Sequence, residues 1–206
     1  MSVRSDWIEC TTRLELPILL AVSSGMRRGE ILGLKWRDID LTNGLVLVNR
    51  SVKQTRIGLR FKEPKTKRGA RQVALPSLAV DALNTHKANQ SKNRLHLGPY
   101  YKNNDLVCCR EDREIWPPDS PPTVFAWAIR RPNLPKIRLH DLRHTHATQL
   151  LKQGIIPKIV SERLGHSHVS VTLGTYSHVL PGMQEDAARK IDLALRTAIF
   201  NPTTGK

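Results

Sequence analysis

The spacing of apolar residues along the chain predicts a mainly helical protein. Apolar positions recur at helical spacing in segments that stop beside a glycine, the residue at which helices most often end. Such segments are 13–24 before Gly25, 139–153 before Gly154 and 156–164 before Gly165. The same spacing predicts helices at 30–36, 77–90, 124–131 and 183–200, and a short helix or turn at 169–179.

Strand patterns are confined to the N-terminal third. Asn43-Gly44 is a hairpin turn signal, and the alternating strand 45–50 follows it directly. The segment 57–61 is expected to pair with 45–50, and 71–76 is predicted to be a third strand that ends at Pro76. We therefore expect an α+β fold, mainly helical, with a small antiparallel sheet near the N-terminal third.

The charge balance indicates a polyanionic partner. The 206 residues include 33 Lys and Arg against 18 Asp and Glu, a net charge of +15. Nucleic acid is the first candidate partner and an anionic membrane surface the second, while a basic protein with no such partner is the remaining interpretation. Three cysteines, two of them adjacent, exclude a disulfide scaffold. With no apolar leader and no apolar run of membrane-spanning length, we expect a reduced, cytoplasmic protein.

Cations are dense between positions 50 and 73, where nine Lys and Arg stand against one acid, Glu63. A run of charges is usually a solvated face, but a basic hairpin can present several cations on one side and contact a phosphate backbone. The candidate DNA-binding residues are Arg28, Arg56, Arg60, Lys62, Lys67, Arg68 and Arg71.

Six of the eight histidines lie between positions 140 and 178. His140 and His144 share a helix face, as paired zinc ligands do, but Asp141 replaces the glutamate of the zinc-protease motif and Arg143 would place a positive charge beside the metal. We therefore expect no metal site. His140 and Arg143 also share a face and together suit a phosphate group, although two solvated surface residues would show the same spacing.

Four short motifs follow one another in a defined order. Ser24-Gly-Met-Arg-Arg-Gly-Glu30 comes first, followed by His140-Asp-Leu-Arg-His144, Leu164-Gly-His166 and Thr175-Tyr-Ser-His178. Each motif alone is weakly specific. Their ordered set resembles the catalytic motifs of the tyrosine recombinases, the phage integrase family, over roughly residues 10–200.

The resemblance implies a role for each matching residue in the first two motifs. Arg27 matches the first catalytic arginine of the family, and Glu30 matches the acidic residue that supports it. His140 and Arg143 match the second His/Arg pair. The implied fold is that of a tyrosine-recombinase catalytic domain.

The remaining assignments concern the nucleophile and its neighbours. Tyr176 matches the nucleophile, and His166 matches a position held by His or Trp. The family also has a lysine in a β-turn, which we place at Lys65 with Lys67 as the alternative. His144 is expected to support the site through a hydrogen bond.

The chemistry that the resemblance implies is DNA cleavage and rejoining without a metal or any other cofactor. The two arginines and His166 would neutralise the phosphate charge, and Tyr176 would form a covalent 3′-phosphotyrosine. His140 would help to accept the tyrosine proton, and Lys65 would protonate the departing 5′ oxygen.

The resemblance also suggests the organisation of the protein and two alternatives. Residues 1–206 would form one catalytic domain, with the family's N-terminal core-binding and arm-binding domains absent from this chain. Its partner would be double-stranded DNA, at an attachment or core site. The full-length bacterial or phage-encoded protein would form a tetramer on this DNA, and the isolated domain would be a monomer. A type IB topoisomerase and a non-catalytic DNA-binding module of the same fold are the alternatives, although the intact residue set argues against the second.

Overall fold

The structure of the chain is a computed structural model that describes residues 3–63, 70–98, 104–110, 114–129, 136–177 and 183–200. Within these ranges there are eight α-helices and a single 3-10 turn at Trp36–Asp38. The helices are α1 Val3–Ser24, α2 Arg28–Leu32, α3 Ser77–Leu97, α4 Ser120–Ala128, α5 Asp141–Lys152, α6 Pro157–Leu164, α7 Val169–Tyr176 and α8 Met183–Phe200. The predicted mainly helical α+β class is confirmed.

The strands of the described residues form two small antiparallel sheets. The strands are β1 Ile39–Asp40, β2 Leu45–Val48, β3 Ser51–Thr55, β4 Gly58–Lys62 and β5 Arg71–Ala74. The first sheet has the order β1-β2-β5, and its β1–β2 connection contains the predicted Asn43-Gly44 turn, with Gly44 at φ +62°. The second sheet is the hairpin β3–β4, in which Thr55 pairs with Gly58 across a two-residue turn.

The predicted pairing of 57–61 with 45–50 is wrong, because the chain leaves the first sheet at Val48. The side chains of Asn49 and Arg50 both donate to the buried carboxylate of Asp38, which ends the strand. The backbone then starts a new strand at Ser51, and 58–62 pairs with 51–55.

The predicted helix at 30–36 is also shorter than expected, because α2 ends at Leu32. Lys35 then takes an extended conformation and pairs with Leu106 of the segment 105–107. The amide of Trp36 donates to the carbonyl of Asp105 at 2.9 Å, and the amide of Val107 donates to the carbonyl of Leu34 at 3.0 Å. Tertiary pairing of the backbone overrides the helical pattern here.

Close packing at a glycine brings the end of α1 against two other helices. Gly25 ends α1 at φ +68°, and a Cβ there would lie 2.6 Å from the His146 ring and 2.7 Å from Leu164. Gly165 ends α6 in the same left-handed conformation, at φ +67°. The end of α1 therefore lies directly against α5 and α6, which only a residue without a side chain allows.

Two apolar clusters stabilise this arrangement. The larger cluster lies between α1, α2, the sheets and α4, with Leu20, Met26 and Leu32 almost fully buried. The smaller one joins α5, α6 and α7 and includes Leu151, Leu164 and the ring of Tyr176. Among the described helices, none combines the length and apolar character needed to cross a membrane.

Candidate active site

Arg27 lies at the start of α2, where Glu30 holds it. The two oxygens of the Glu30 carboxylate accept one hydrogen bond from the Arg27 amide at 2.8 Å and one from its guanidinium at 3.0 Å. The Arg27 Nη2 atom also donates to the carbonyl of Gly165 at 3.4 Å. The Arg27 side chain remains 44% exposed, so its charge is accessible to an anion.

Arg71 is buried, whereas a residue that contacts phosphate from a basic hairpin would face solvent. It is 9% exposed, and its guanidinium binds both oxygens of Glu30, at 3.1 and 2.8 Å, and the carbonyl of Arg163 at 2.7 Å. The carboxylate of Glu30 is therefore shared between two arginines. Burial alone would raise the pKa of Glu30, but the hydrogen bonds and charges of Arg71 and Arg27 hold it below its usual range.

Arg143 is the most deeply buried cation of the site, at 4% exposure. It extends from α5 and donates to the carbonyl of Gly25 and, at 2.7 Å, to the carbonyl of Leu164. Burial, and then the neighbouring charge of Arg27, lowers the pKa of the Arg143 guanidinium to about 10. The group therefore stays charged at neutral pH and ties the first, second and third sequence motifs together.

Tyr176 ends α7 with its ring buried in the smaller apolar cluster. Its hydroxyl lies 2.8 Å from Nδ1 of His144, and the His144 ring in turn contacts the edge of the His140 ring, with the two ring centroids 5.2 Å apart. Burial raises the pKa of the Tyr176 phenol, against the lowering effect of the Arg143 charge. The structure thus places His144, rather than the predicted His140, in direct contact with the tyrosine hydroxyl.

His166 follows the left-handed turn at Gly165, and its Nδ1 atom lies 2.8 Å from the hydroxyl of the fully buried Thr172. Burial, then the charges of Arg143 and Arg27, lowers the pKa of His166 to about 4. The ring is therefore neutral at physiological pH and close to both arginines.

An open cleft of about 860 Å³ borders this cluster. Its cationic and imidazole lining is Arg27, Arg28, Lys53, Arg138 and His140. Arg28 is partly neutralised by Asp119, whose carboxylate lies 3.6 Å away. His140 is exposed and lines the cleft, so it lies beside the hydrogen-bonded pair of Tyr176 and His144 and is not part of that pair.

The predicted basic hairpin exposes its cations on one face. Lys53 and Arg60 are directly opposite in the β3–β4 register, and Lys62 is two residues further along the same face. Arg56 is exposed at the turn. The other predicted hairpin residues, Lys65, Lys67 and Arg68, lie outside the described residues.

The sequence missed three residues that support the site. Thr172 contacts His166, and Arg163 donates to Nε2 of His146 at 3.0 Å while binding the carbonyls of Ser23 and Ala74. No sequence signal separates these side chains from ordinary surface residues, because residue type and spacing do not show which side chains meet in the fold. Within the described ranges, no group of three or more His, Cys, Asp or Glu is arranged to hold a metal ion.

Comparison with known proteins identifies a family and several relatives of this chain. The model of the phage integrase family matches residues 6–183. A protein described as tyrosine recombinase XerC-like, from Caldanaerobacter subterraneus, is 34% identical over 192 residues, covering 87% of this chain and 49% of that protein. The ICEBs1 integrase of Bacillus subtilis is 30% identical, covering 84% of this chain and 47% of the integrase. The chain thus spans about half the length of these curated relatives.

Solved structures show the same fold. The integrase of transposon Tn1549, in complex with transposon right end DNA, superposes with a TM-score of 0.73 at 20% identity, covering 94% of this chain and 65% of the integrase. The XerA recombinase superposes with a TM-score of 0.65 at 20% identity, covering 92% of this chain and 64% of that protein. On the family match, which extends over most of its length, this chain belongs to the phage integrase family.

Proposed function

We propose that this chain is the catalytic domain of a site-specific DNA recombinase, which cleaves and rejoins DNA strands through a covalent 3′-phosphotyrosine. The observation that carries the proposal is the contact of the Tyr176 hydroxyl with His144, in a site that also contains Arg27, Arg143 and His166. Relatives of this chain are named recombinases, integrases and transposases. A type IB topoisomerase is not favoured, because none of these relatives carries that description.

The two arginines provide the charge that a phosphodiester needs. Each guanidinium has five N–H donors, of which the backbone and Glu30 occupy only part. The remaining donors of Arg27 and Arg143 bind the non-bridging phosphate oxygens and stabilise the charge that accumulates there during attack. Since Arg143 is fixed by two carbonyls, it needs no rearrangement during the reaction.

Tyr176 supplies the nucleophile. Its oxygen bonds to phosphorus while the bond between phosphorus and the 5′ oxygen breaks, and its proton passes to Nδ1 of His144, 2.8 Å away. The 5′ oxygen takes a proton from Lys65, or from Lys67, by the family resemblance. The phosphotyrosine conserves the energy of the phosphodiester, so rejoining requires no nucleotide cofactor.

His166 completes the phosphate site as a neutral donor. We propose the tautomer in which the Thr172 hydroxyl donates to Nδ1 and the ring proton is on Nε2, where it can donate to a phosphate oxygen. The lowered pKa of His166, about 4, keeps the ring uncharged at neutral pH.

The same proposal extends to partners and location. The exposed cations of the β3–β4 hairpin bind the phosphate backbone of double-stranded DNA beside the cleft. Assembly of the full-length protein as a tetramer on DNA, and of this domain alone as a monomer, stays a prediction. A DNA substrate implies a cytoplasmic protein of a bacterium or of a phage-infected cell.

Covalent capture tests the proposal without knowledge of the attachment site. The probe is a library of nicked duplexes with a randomised core, incubated with the protein in EDTA and separated on a denaturing gel. We expect protein–DNA adducts whose sequenced DNA converges on one site and whose linkage maps to Tyr176 by mass spectrometry. The matched control is Tyr176→Phe, which removes one oxygen and must form no adduct. Salt-sensitive DNA binding without any adduct would instead indicate the non-catalytic DNA-binding module.

A further inference from the structure

Arg71 lies at the junction of three parts of the site. It is the first residue of β5, it binds Glu30 of α2, and its Nε atom donates to the carbonyl of Arg163 near the end of α6. All three guanidinium nitrogens of Arg71 are therefore bonded inside the protein. A buried side chain that is bonded on every nitrogen acts through its partners rather than on a substrate.

The Glu30 carboxylate links Arg71 to Arg27. Its Oε1 atom accepts from Nη1 of both arginines, at 3.0 Å from Arg27 and 3.1 Å from Arg71. Its Oε2 atom accepts from the Arg27 amide and from Nη2 of Arg71, both at 2.8 Å. The bidentate hydrogen bond with Arg71 fixes the plane of the Glu30 carboxylate. That plane sets the direction of the hydrogen bond from Arg27.

Gly165 packs against the same guanidinium. A Cβ on this residue would lie 2.8 Å from Nη1 and 3.0 Å from Cζ of Arg71. The carbonyl of Gly165 accepts the second bond of the Arg27 guanidinium, at 3.4 Å. Arg71 thus supports both groups that hold Arg27, the carboxylate and the turn before His166.

We infer that Arg71 is a positioning residue that orients the Arg27 guanidinium toward the phosphate through Glu30 and the turn at Gly165. The expected effect on cleavage rests on the proposed function. Arg71 then governs the rate of strand cleavage and leaves DNA affinity nearly unchanged, because it is buried and its nitrogens are bonded within the protein.

The main test replaces Arg71 with lysine, which keeps the charge and loses the two-pronged bond. Single-turnover cleavage is measured at saturating DNA, with duplexes selected by the wild-type protein, beside the dissociation constant for DNA. We expect cleavage to fall by about 100-fold, as for a misplaced catalytic group, with the dissociation constant within about threefold of the wild type. In an Arg27→Lys background the same substitution should cost less than about threefold, because the fork that Arg71 orients is already absent. An equal loss in both backgrounds overturns the inference.

Gly165→Ala is the second variant, and it displaces the Arg71 guanidinium without changing it. Gly154→Ala is the matched control, because Gly154 also ends a helix in the left-handed region, at φ +77°, with nothing within 4 Å of an added Cβ. Both alanines carry the cost of the left-handed backbone, and Gly165→Ala adds the displacement of Arg71, so its melting temperature should fall further. We expect only Gly165→Ala to slow cleavage, by about tenfold or more. Equal cleavage by the two variants contradicts the inference, even where Arg71→Lys fails to fold.

An activity-free measurement separates this inference from the proposed function. In nitrogen NMR spectra of the wild type, the bonds to Glu30 and Gly165 should slow rotation of the Arg27 guanidinium and give two resolved Nη signals, identified by their loss in Arg27→Lys. We expect the two signals to merge in Arg71→Lys. If Arg71→Lys keeps two separate signals, the positioning role is refuted whether or not the wild type cleaves DNA. If the signals merge in Arg71→Lys but the wild type does not cleave DNA, only the proposed function is refuted.

Discussion

The two cationic regions of this protein differ in burial and therefore in what their charges can do. Around the site, Arg71 and Arg143 are 9% and 4% exposed and bind the Glu30 carboxylate and backbone carbonyls. On the β3–β4 hairpin, Lys53, Arg60 and Lys62 are exposed on one face, where Lys53 and Arg60 are directly opposite. The buried arginines are fixed in place, whereas the hairpin cations repel each other in the absence of a counter-ion.

We propose that arginine serves catalysis in the first region and attraction of DNA in the second. A buried, fixed charge stabilises only a group that lies at one position beside it, such as a phosphate in the transition state. Its loss should therefore change the rate of cleavage. A solvated charge acts over about a Debye length and exchanges easily with salt, so its loss should change affinity and salt dependence.

The largest effect is expected when the same substitution is made in both regions. Arg143→Lys keeps the charge but loses the fork that binds Gly25, Leu164 and, we propose, the phosphate. Single-turnover cleavage should fall by about 10³–10⁵-fold, the usual loss for an arginine that stabilises phosphoryl transfer. Arg60→Lys on the hairpin should change it by less than about threefold. Comparable losses at the two positions would show that burial does not separate their roles.

Two histidines at the start of α5, His140 at its N-cap and His144 within it, test the division within the site. His144 contacts the Tyr176 hydroxyl at 2.8 Å. His140 is exposed and contacts the ring of His144 rather than Tyr176. We expect His144→Gln to slow adduct formation by at least about 100-fold, as loss of a general base does. His140→Gln should have a smaller effect. Rates measured across pH 6 to 9 check the assignment, and a larger loss for His140→Gln would restore the role that the sequence suggested for it.

The sequence predicted what local patterns determine. Helix ends at Gly25, Gly154 and Gly165 follow from single glycines, and each of these residues has a positive φ in the structure. The ordered motifs also identified Arg27, Arg143 and Tyr176, and the structure brings these residues into one cluster. The catalytic roles of these residues remain predictions.

The sequence could not predict what depends on partners far along the chain. Strand alternation places Arg71 on the same face as Val73, but only the structure shows that Glu30 and the Arg163 carbonyl bind its buried charge. The separate β3–β4 sheet depends on the capture of Asn49 and Arg50 by Asp38, which no alternation of apolar residues reveals. Residue type and spacing therefore define the candidates, and tertiary contacts divide them between the two regions.

Acid should weaken the buried region through His146. This ring contacts the Val22 carbonyl at 2.8 Å and accepts a bond from Arg163, and burial is the main cause that lowers its pKa to about 4. The unfolded chain binds a proton there below about pH 6.5, whereas the folded chain does so only near pH 4, so unfolding takes up a proton between these values. The free energy of unfolding should therefore fall as the pH drops through this window, by about 3 kcal/mol from this group.

Urea unfolding at pH 7 and pH 4.5 measures this loss. His146→Gln removes the titrating ring and should reduce the difference between the two conditions. The matched control is His96→Gln on α3, where the side chain is exposed and the difference should persist. An unchanged difference in His146→Gln would show that other groups cause the acid sensitivity.

The smallest effect is expected on the hairpin, where it should appear only in salt dependence. A plot of log affinity against log salt concentration has a negative slope, and each cation that contacts a phosphate makes it steeper by about 0.9. Arg60→Gln should therefore make the slope shallower by about 0.9. The free energy of unfolding should change by less than about 0.5 kcal/mol, because the side chain is exposed. Lys92→Gln, which removes an exposed charge from α3, controls for net charge. Titrations of a random-sequence duplex at several salt concentrations check the slope. Equal slopes for Arg60→Gln and Lys92→Gln would mean that affinity depends on total charge alone, and the hairpin would lose its special role in DNA binding.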